Sequence, residues 1–425
     1  MELAIDSPAA PWAPVARAAA AERARRAVLA VARVLAPAGE SPSSALEAPS
    51  RIRAAELALF FYYLEEFDPG QGHGDAALAW LVEAMSLETG EGSLALHEGL
   101  THVAWVTAHL QDRLFAGGAA DPNDEFDEQV VGLLEQAPWT GSFDLMNGLA
   151  GLGVYFLERL PRPLAVRALS ALVDRLSERA QEVPGGVAWF TPVEKMPDWQ
   201  REMAPRGYYN LGVAHGLPGV LAVLSGAARA GVNASVASGL VERGVAWLLR
   251  QKLPPNERSI FPLWVPEGVE PPAARLGWCY GDAGIAAALL CVAGAMGERR
   301  WEYEALDLAR NVAAREPDPK IIDEPGVCHG ASGLATLFAR MYHQSGDPSL
   351  AAAAARWTDH ALDMRWGDDA GVGGFWSYLG TNSPQADPSF LEGAAGTALA
   401  LLSVIGDVRP DWHRLLAVSL APVDS

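Results

Sequence analysis

From Asn147 the chain reads NGLAGLGVYFL, and the phrase returns as HGLPGVLAVL at His215, YGDAGIAAALL at Tyr280, HGASGLATLF at His329 and EGAAGTALALL at Glu392. Each copy has a glycine at its second position, another three residues later, and then an Ala- and Leu-rich run. A weaker relative, EGLTHVAWV at Glu98, lacks the second glycine. The first glycines of successive copies lie 49, 68, 65, 49 and 63 residues apart, and each interval holds two helices with their loops. A repeat of this period decides the architecture before any single residue does. The segments between copies, such as LAVRALSALVDRLSERAQEV and SVASGLVERGVAWLLRQKL, place apolar residues at i, i+3, i+4 and i+7 with charges opposite, the pattern of amphipathic helices. The repeated phrases are apolar on every side, as buried helices are. An amphipathic helix alternating with an apolar one predicts an outer layer around an inner layer, in which small residues let the inner helices approach closely. About seven pairs of roughly 60 residues would fill the chain. An open solenoid remains the alternative, but no polar capping repeat is evident, and sparse strand signals disfavour α/β folds.

The chain has 425 residues, half of them apolar and 20% charged, with a net charge of −20. That balance excludes a protein that works by neutralising nucleic-acid phosphates. The longest uncharged apolar run, Gly284 to Gly297, is 14 residues long, short of a bilayer span. Glu2 and Asp6 precede any apolar block, so no secretory signal is expected, and a cytoplasmic location is. Three cysteines make no disulfide framework. Residues 1 to 50 read as a partly flexible N-terminal extension, and 51 to 425 as one domain. Long connections, roughly Pro184–Tyr209, Leu253–Gly277 and Trp366–Ser389, each precede a repeated phrase, and ordered loops gathered above helix N-termini usually build a site. Trp189, Trp199, Trp264 and Trp376 in these loops are candidate peptide contacts, with core packing an equal alternative.

Two cysteines and two histidines fall in the repeated phrase: Cys279 in GWCYG, Cys328 and His329 in VCHG, and His215 in VAHG. Equivalent positions of neighbouring repeats converge, so Cys279, Cys328 and His329 are the candidate metal ligands. Two sulfurs and one imidazole suit zinc, and three protein ligands leave the fourth position open, as catalytic sites do. Cys291, alone in AALLCVAG, reads as a core residue, and the other seven histidines as surface or satisfied core side chains. Asp144, Arg275 and Tyr280 stand at matching positions and would place a carboxylate, a guanidinium and a phenol beside the metal, although an N-cap for Asp144 and a solvated charge for Arg275 are the ordinary readings.

With FDLMNGLAGLG, NLGVAHGLPG, RLGWCYG, VCHGASGLA and FLEGAAGTALALL in order between Asp144 and Leu402, the chain resembles the lanthionine synthetase C family of lanthipeptide cyclases. The resemblance implies an all-α fold, an α/α-toroid of about seven inner and seven outer helices. It also implies a zinc ion on Cys279, Cys328 and His329, an active-site His215, and supporting Asp144, Arg275 and Tyr280. The expected reaction adds a peptide Cys thiol to dehydroalanine or dehydrobutyrine, giving lanthionine or methyllanthionine. His215 would act as acid or base, Arg275 would offset enolate charge, Asp144 would orient His215 or Arg275, and Tyr280 would donate a hydrogen bond. No nucleotide loop or dehydratase-like region is evident, so the expected partners are a precursor peptide and the separate dehydratase that prepares it. The chain departs from the family pattern at Asp282 and Ala283, where many relatives carry a proline before the next glycine. Two alternatives stay open: addition of glutathione to dehydroamino acids in proteins, and a non-catalytic zinc-stabilised peptide scaffold.

Overall fold

The computed structural model describes residues 11–37, 50–86, 92–115, 120–255, 257–317, 322–378 and 383–421. The expected flexible part of the N-terminal extension, residues 1–10 and 38–49, lies outside them, as do short pieces of two of the long connections. In chain order the helices are α1 (Ala18–Leu35), α2 (Arg51–Phe67), α3 (His73–Ser86), α4 (Leu100–Leu114), α5 (Asp124–Leu134), α6 (Leu149–Glu158), α7 (Pro163–Arg179) and α8 (Asp198–Met203). They continue as α9 (Leu217–Arg229), α10 (Ala234–Leu248), α11 (Asp282–Met296), α12 (Arg299–Ala313), α13 (Ala331–Ser345), α14 (Pro348–Asp363) and α15 (Ala394–Ile405). The described elements also include short 3-10 turns and five strands of two or three residues: β1 (Gln181–Val183), β2 (Gly186–Ala188), β3 (Phe190–Thr191), β4 (Tyr208–Asn210) and β5 (Trp264–Pro266).

The chain divides into two compact units, one drawn from residues 1–91, 109–119 and 309–410, the other from 92–108, 120–308 and 411–425. In the first unit, α15 packs against α13, α2 and α1, while α14 covers α13 and α3 covers α2. Every residue of α15 is buried, whereas α14 buries a stripe that includes Leu350, Ala353, Ala354, Trp357, Ala361 and Leu362. In the second unit, α9 lies between α6 and α11, with α10 on α9 and α7 on α6 and α5. Here too the layers follow composition. In α7 only Ala165, Ala168, Leu169, Leu172, Val173 and Leu176 are buried, which is one face of a 3.6-residue helix. In α11 the run from Asp282 to Ala293 is buried throughout. Proline at the first turn starts α7 and α14, and the Asp347 carboxylate caps α14 by accepting from Ser349 N–H.

Two of the long connections are knitted by the strands, all within the second unit. β1 and β2 form a hairpin, and β3, β4 and β5 form an antiparallel sheet that pairs Phe190 with Tyr209 and Asn210 with Trp264. Tyr208 stacks on Trp264 with ring centroids 5.0 Å apart, so the sheet is held by aromatic packing as well as by its few backbone bonds.

Candidate functional site

A shared loop shape explains the repeated glycines. Gly148, Gly216, Gly281, Gly330 and Gly393 are the N-cap residues of α6, α9, α11, α13 and α15. A Cβ on Gly216 would stand 2.2 Å from the carbonyl oxygen of Asn210, six residues back, and one on Gly281 would stand 1.9 Å from that of Arg275. The second glycines repeat the geometry: a Cβ on Gly219 would lie 2.3 Å from the Val213 carbonyl oxygen. The loop therefore curls back onto the first turn of its helix, and the residues just before the glycine are presented at the helix mouth. Gly99 obeys the same rule against Ser93, so the weaker copy at Glu98 is a true repeat and opens α4.

In the second unit the loops are tied to one another in series. Leu96 N–H donates to Met146 O at 2.9 Å, Met146 N–H to Ala214 O at 3.2 Å, and Ala214 N–H to Cys279 O at 3.4 Å. This seam gathers the expected site residues of the unit. His215 Nδ1 lies 2.9 Å from Asp144 Oδ2, and the other Asp144 oxygen accepts from Asn147 N–H at 2.7 Å. Asp144 thus makes the local turn expected of its position and orients the imidazole as well. Arg275 Nη2 donates to the buried Cys279 Sγ at 3.1 Å, so Arg275 is not the simple solvated charge its sequence context suggests, and its guanidinium lies 5.9 Å from the centre of the Tyr280 ring. Tyr280 is buried, accepts a hydrogen bond from Asn210 Nδ2 at 3.1 Å, and stacks on His215 with centroids 6.2 Å apart.

Electrostatics follow from these contacts. Burial pulls the His215 pKa down, but the Asp144 hydrogen bond and charge, helped by the Cys279 thiol and Glu98, outweigh it and raise it above 6.5. Burial holds the Tyr280 phenol well above its ordinary range, so it keeps its proton as a donor.

The first unit carries the other expected residues. Cys328 is buried and its N–H donates to Leu391 O at 2.9 Å, beside the bond from Val327 N–H to the same oxygen. His329 Nδ1 lies 3.5 Å from Glu392 Oε1, and its Nε2 lies 3.8 Å from Glu324 Oε1. Donor atoms of Glu324, His329 and Glu392 all fall within 4.8 Å of one another, a set that could hold a metal ion. These two glutamates were not singled out by sequence, although the register could have found them. Glu392 immediately precedes its glycine, as His215 and His329 do, and Glu324 stands six residues before its own, as Arg275 does.

Several other expectations resolve. Trp189 and Trp264 are fully buried and serve the core, whereas Trp199 is 56% exposed. His97 occupies the place in its repeat that Cys279 and Cys328 occupy in theirs, yet it is buried against Trp278 and within 3.1 Å of Leu415 O. Burial, with His102 beside it, pushes its pKa down to about 3, so it is a neutral core residue. Cys291 is buried in α11. The family departure at Asp282 has a structural reason: its fully buried carboxylate accepts from Ile260 N–H and Phe261 N–H, each at 2.9 Å, and anchors the connection that ends at Gly277. No helix among the described residues is long and apolar enough to cross a membrane.

Known proteins bear on this site. A family model described as lanthionine synthetase C-like protein matches residues 54–417. The nisin biosynthesis protein NisC of Lactococcus lactis subsp. lactis is 26% identical over 276 residues, which is 61% of this chain and 60% of that protein. The chain thus spans about 60% of the length of this curated relative. The solved structure of nisin cyclase is similar with a TM-score of 0.68 and 19% identity, covering 86% of this chain and 90% of that one. That likeness shows the all-α, α/α-toroid class that the family resemblance implies.

Proposed function

The chain belongs to the lanthionine synthetase C-like family, and from that footing we propose that it is a zinc-dependent lanthipeptide cyclase. It would add the Cys thiol of a dehydrated precursor peptide to dehydroalanine or dehydrobutyrine in the same peptide. The observation that carries the reading is the Asp144-oriented His215 in one copy of the repeat, with the Arg275–Cys279 contact in the next. The family match over residues 54–417 also supports reading 51–425 as one cyclase domain.

Cys279, Cys328 and His329 would hold the zinc, since two thiolates and an imidazole form a donor set of the right softness and leave one position open. When bound, the ion would lower the pKa of an incoming peptide thiol so that the nucleophilic thiolate exists at neutral pH. The remaining work falls to this chain's own side chains. With Nδ1 held by Asp144, His215 has Nε2 left to accept the thiol proton and to return it to the α-carbon of the enolate. Arg275 offsets the enolate charge, and the phenol of Tyr280, kept protonated by burial, donates a hydrogen bond. One C–S bond forms, the alkene is consumed, and a proton passes from sulfur to carbon, so the mass does not change. Three cysteines in 425 residues make no disulfide framework, in keeping with a reducing, cytoplasmic compartment, and a separate dehydratase would supply the substrate.

The test is to incubate the zinc-loaded protein with a peptide bearing one Cys and one dehydroalanine. Loss of the alkylatable thiol at constant mass is expected. Unchanged thiol refutes the reading, and a gain of one glutathione mass, when glutathione is supplied, replaces cyclisation by intermolecular addition.

A further inference from the structure

Beside His215 lies a cavity of about 380 Å³ whose walls come from the second unit alone. The loop before α6 supplies Asp144 and Asn147, β3 supplies Phe190, β4 supplies Tyr208, and Arg179 at the end of α7 and Lys195 complete the charged lining. In a chain with 32 basic and 52 acidic residues, two cations on one small cavity need an account. Neither forms an ion pair among the described residues; Arg179 is half-buried, and Lys195, exposed at the cavity mouth, donates its Nζ to Thr140 O at 3.3 Å. The carboxylate that lines the cavity, Asp144, is already engaged by His215 and Asn147. Nearby Asp198 is exposed, pairs with Arg201 and does not line it. The walls are otherwise mixed: aromatic faces from Phe190 and Tyr208, the latter fixed by donating its hydroxyl hydrogen to Gln200 Oε1 at 2.6 Å.

We propose that this cavity is a substrate subsite that takes a carboxylate of the peptide, with Arg179 and Lys195 binding the anion and the two aromatic rings holding the backbone next to it. The inference rests on the cyclase reading and extends it. A carboxylate seated there would place the neighbouring residues of the peptide beside His215, so an acidic group close to the reacting residue would favour that residue. A charge-assisted contact in a partly enclosed cavity outweighs its rim-exposed counterpart, whereas an apolar or cationic neighbour would leave both cations uncompensated. Two sources share this chemistry, an Asp or Glu side chain and the free C-terminus of the peptide.

Binding tests it without turnover. Fluorescein-labelled peptides carrying Ser in place of dehydroalanine are compared in two pairs: Glu against Gln beside that Ser with an amidated C-terminus, and free acid against amide with Gln beside it. The intact zinc-loaded protein should bind the carboxylate member of at least one pair about tenfold more tightly, a gap that narrows with added salt. That gap should close in Arg179→Gln/Lys195→Gln, and Arg179→Glu should instead favour a peptide with Lys at that place. The pair that discriminates identifies the source. Equal binding within both pairs by the wild-type chain overturns the subsite, as does a preference that survives in the double variant with unchanged helical content. Because the probe cannot react, a protein that discriminates but fails to cyclise refutes the catalytic reading alone. Conversely, cyclisation without discrimination refutes only the subsite. On reactive peptides the double variant should raise KM for the carboxylate member and not for its uncharged counterpart.

Discussion

His215 and His329 occupy the same point of the same phrase, one residue before the glycine that caps a buried helix, yet their surroundings differ. His215 has one ring nitrogen fixed by Asp144 at 2.9 Å, from the loop that opens α6. His329 has a carboxylate near each nitrogen, Glu392 at 3.5 Å and Glu324 at 3.8 Å, and follows a buried cysteine. The repeat fixes where a side chain stands, while residues from adjoining copies fix what it can do. A single tight carboxylate makes an oriented proton carrier; looser carboxylates around an imidazole next to a thiol suit a metal ligand whose ring is steadied from behind.

The largest effect is expected at the two cysteines. Cys279→Ala or Cys328→Ala should abolish cyclisation and lower bound zinc, read by elemental analysis; full occupancy in both would remove them from the ligand set. On the proton side, His215→Ala should cut kcat by about a hundred- to ten-thousandfold, measured by single-turnover thiol loss.

A milder change sharpens the same side. Asp144→Asn removes the charge that raises the His215 pKa, so the alkaline limb of the kcat–pH profile, set by loss of the imidazolium acid, should move to lower pH, with kcat falling about tenfold. An unmoved limb would show that Asp144 does not tune His215. The same raised pKa carries a stability sign: its contribution is present below the unfolded value of 6.5 and is lost as pH rises through the folded value. Asp144→Asn should therefore flatten the pH dependence of urea midpoints on the neutral side. The smallest effect on chemistry is expected at Asp282, two residues beyond Tyr280 but facing the scaffold. Asp282→Ala strands one buried and one half-buried amide and should cost about 2 kcal/mol of stability in urea unfolding; an unchanged midpoint would show that the connection does not depend on it.

Much of this was legible because the repeat is written in residues with few alternatives. Glycine is required wherever a carbonyl stands about 2 Å from a would-be Cβ, so the starts of α6, α9, α11, α13 and α15 could be read directly, and the amphipathic spacing of α7 announced its outer face. Cys279, Cys328 and the two histidines stood out because they interrupt apolar phrases. What stayed hidden depends on contacts that are distant in sequence. β3, β4 and β5 are too short to show periodicity, and the packing of Trp264 on Tyr208 comes from strand pairing. The anchoring role of Asp282 depends on amides about twenty residues upstream, and nothing local to Glu324 or Glu392 separates them from other acids before the loop register aligns them with Arg275 and His215.

Zinc content, measured side by side in His215→Ala and His329→Ala, tests most directly whether one phrase carries two roles. The His215 variant should retain the metal and the His329 variant should lose it. Equal retention, or loss from the His215 variant alone, would show that the two histidines do not divide the roles this way.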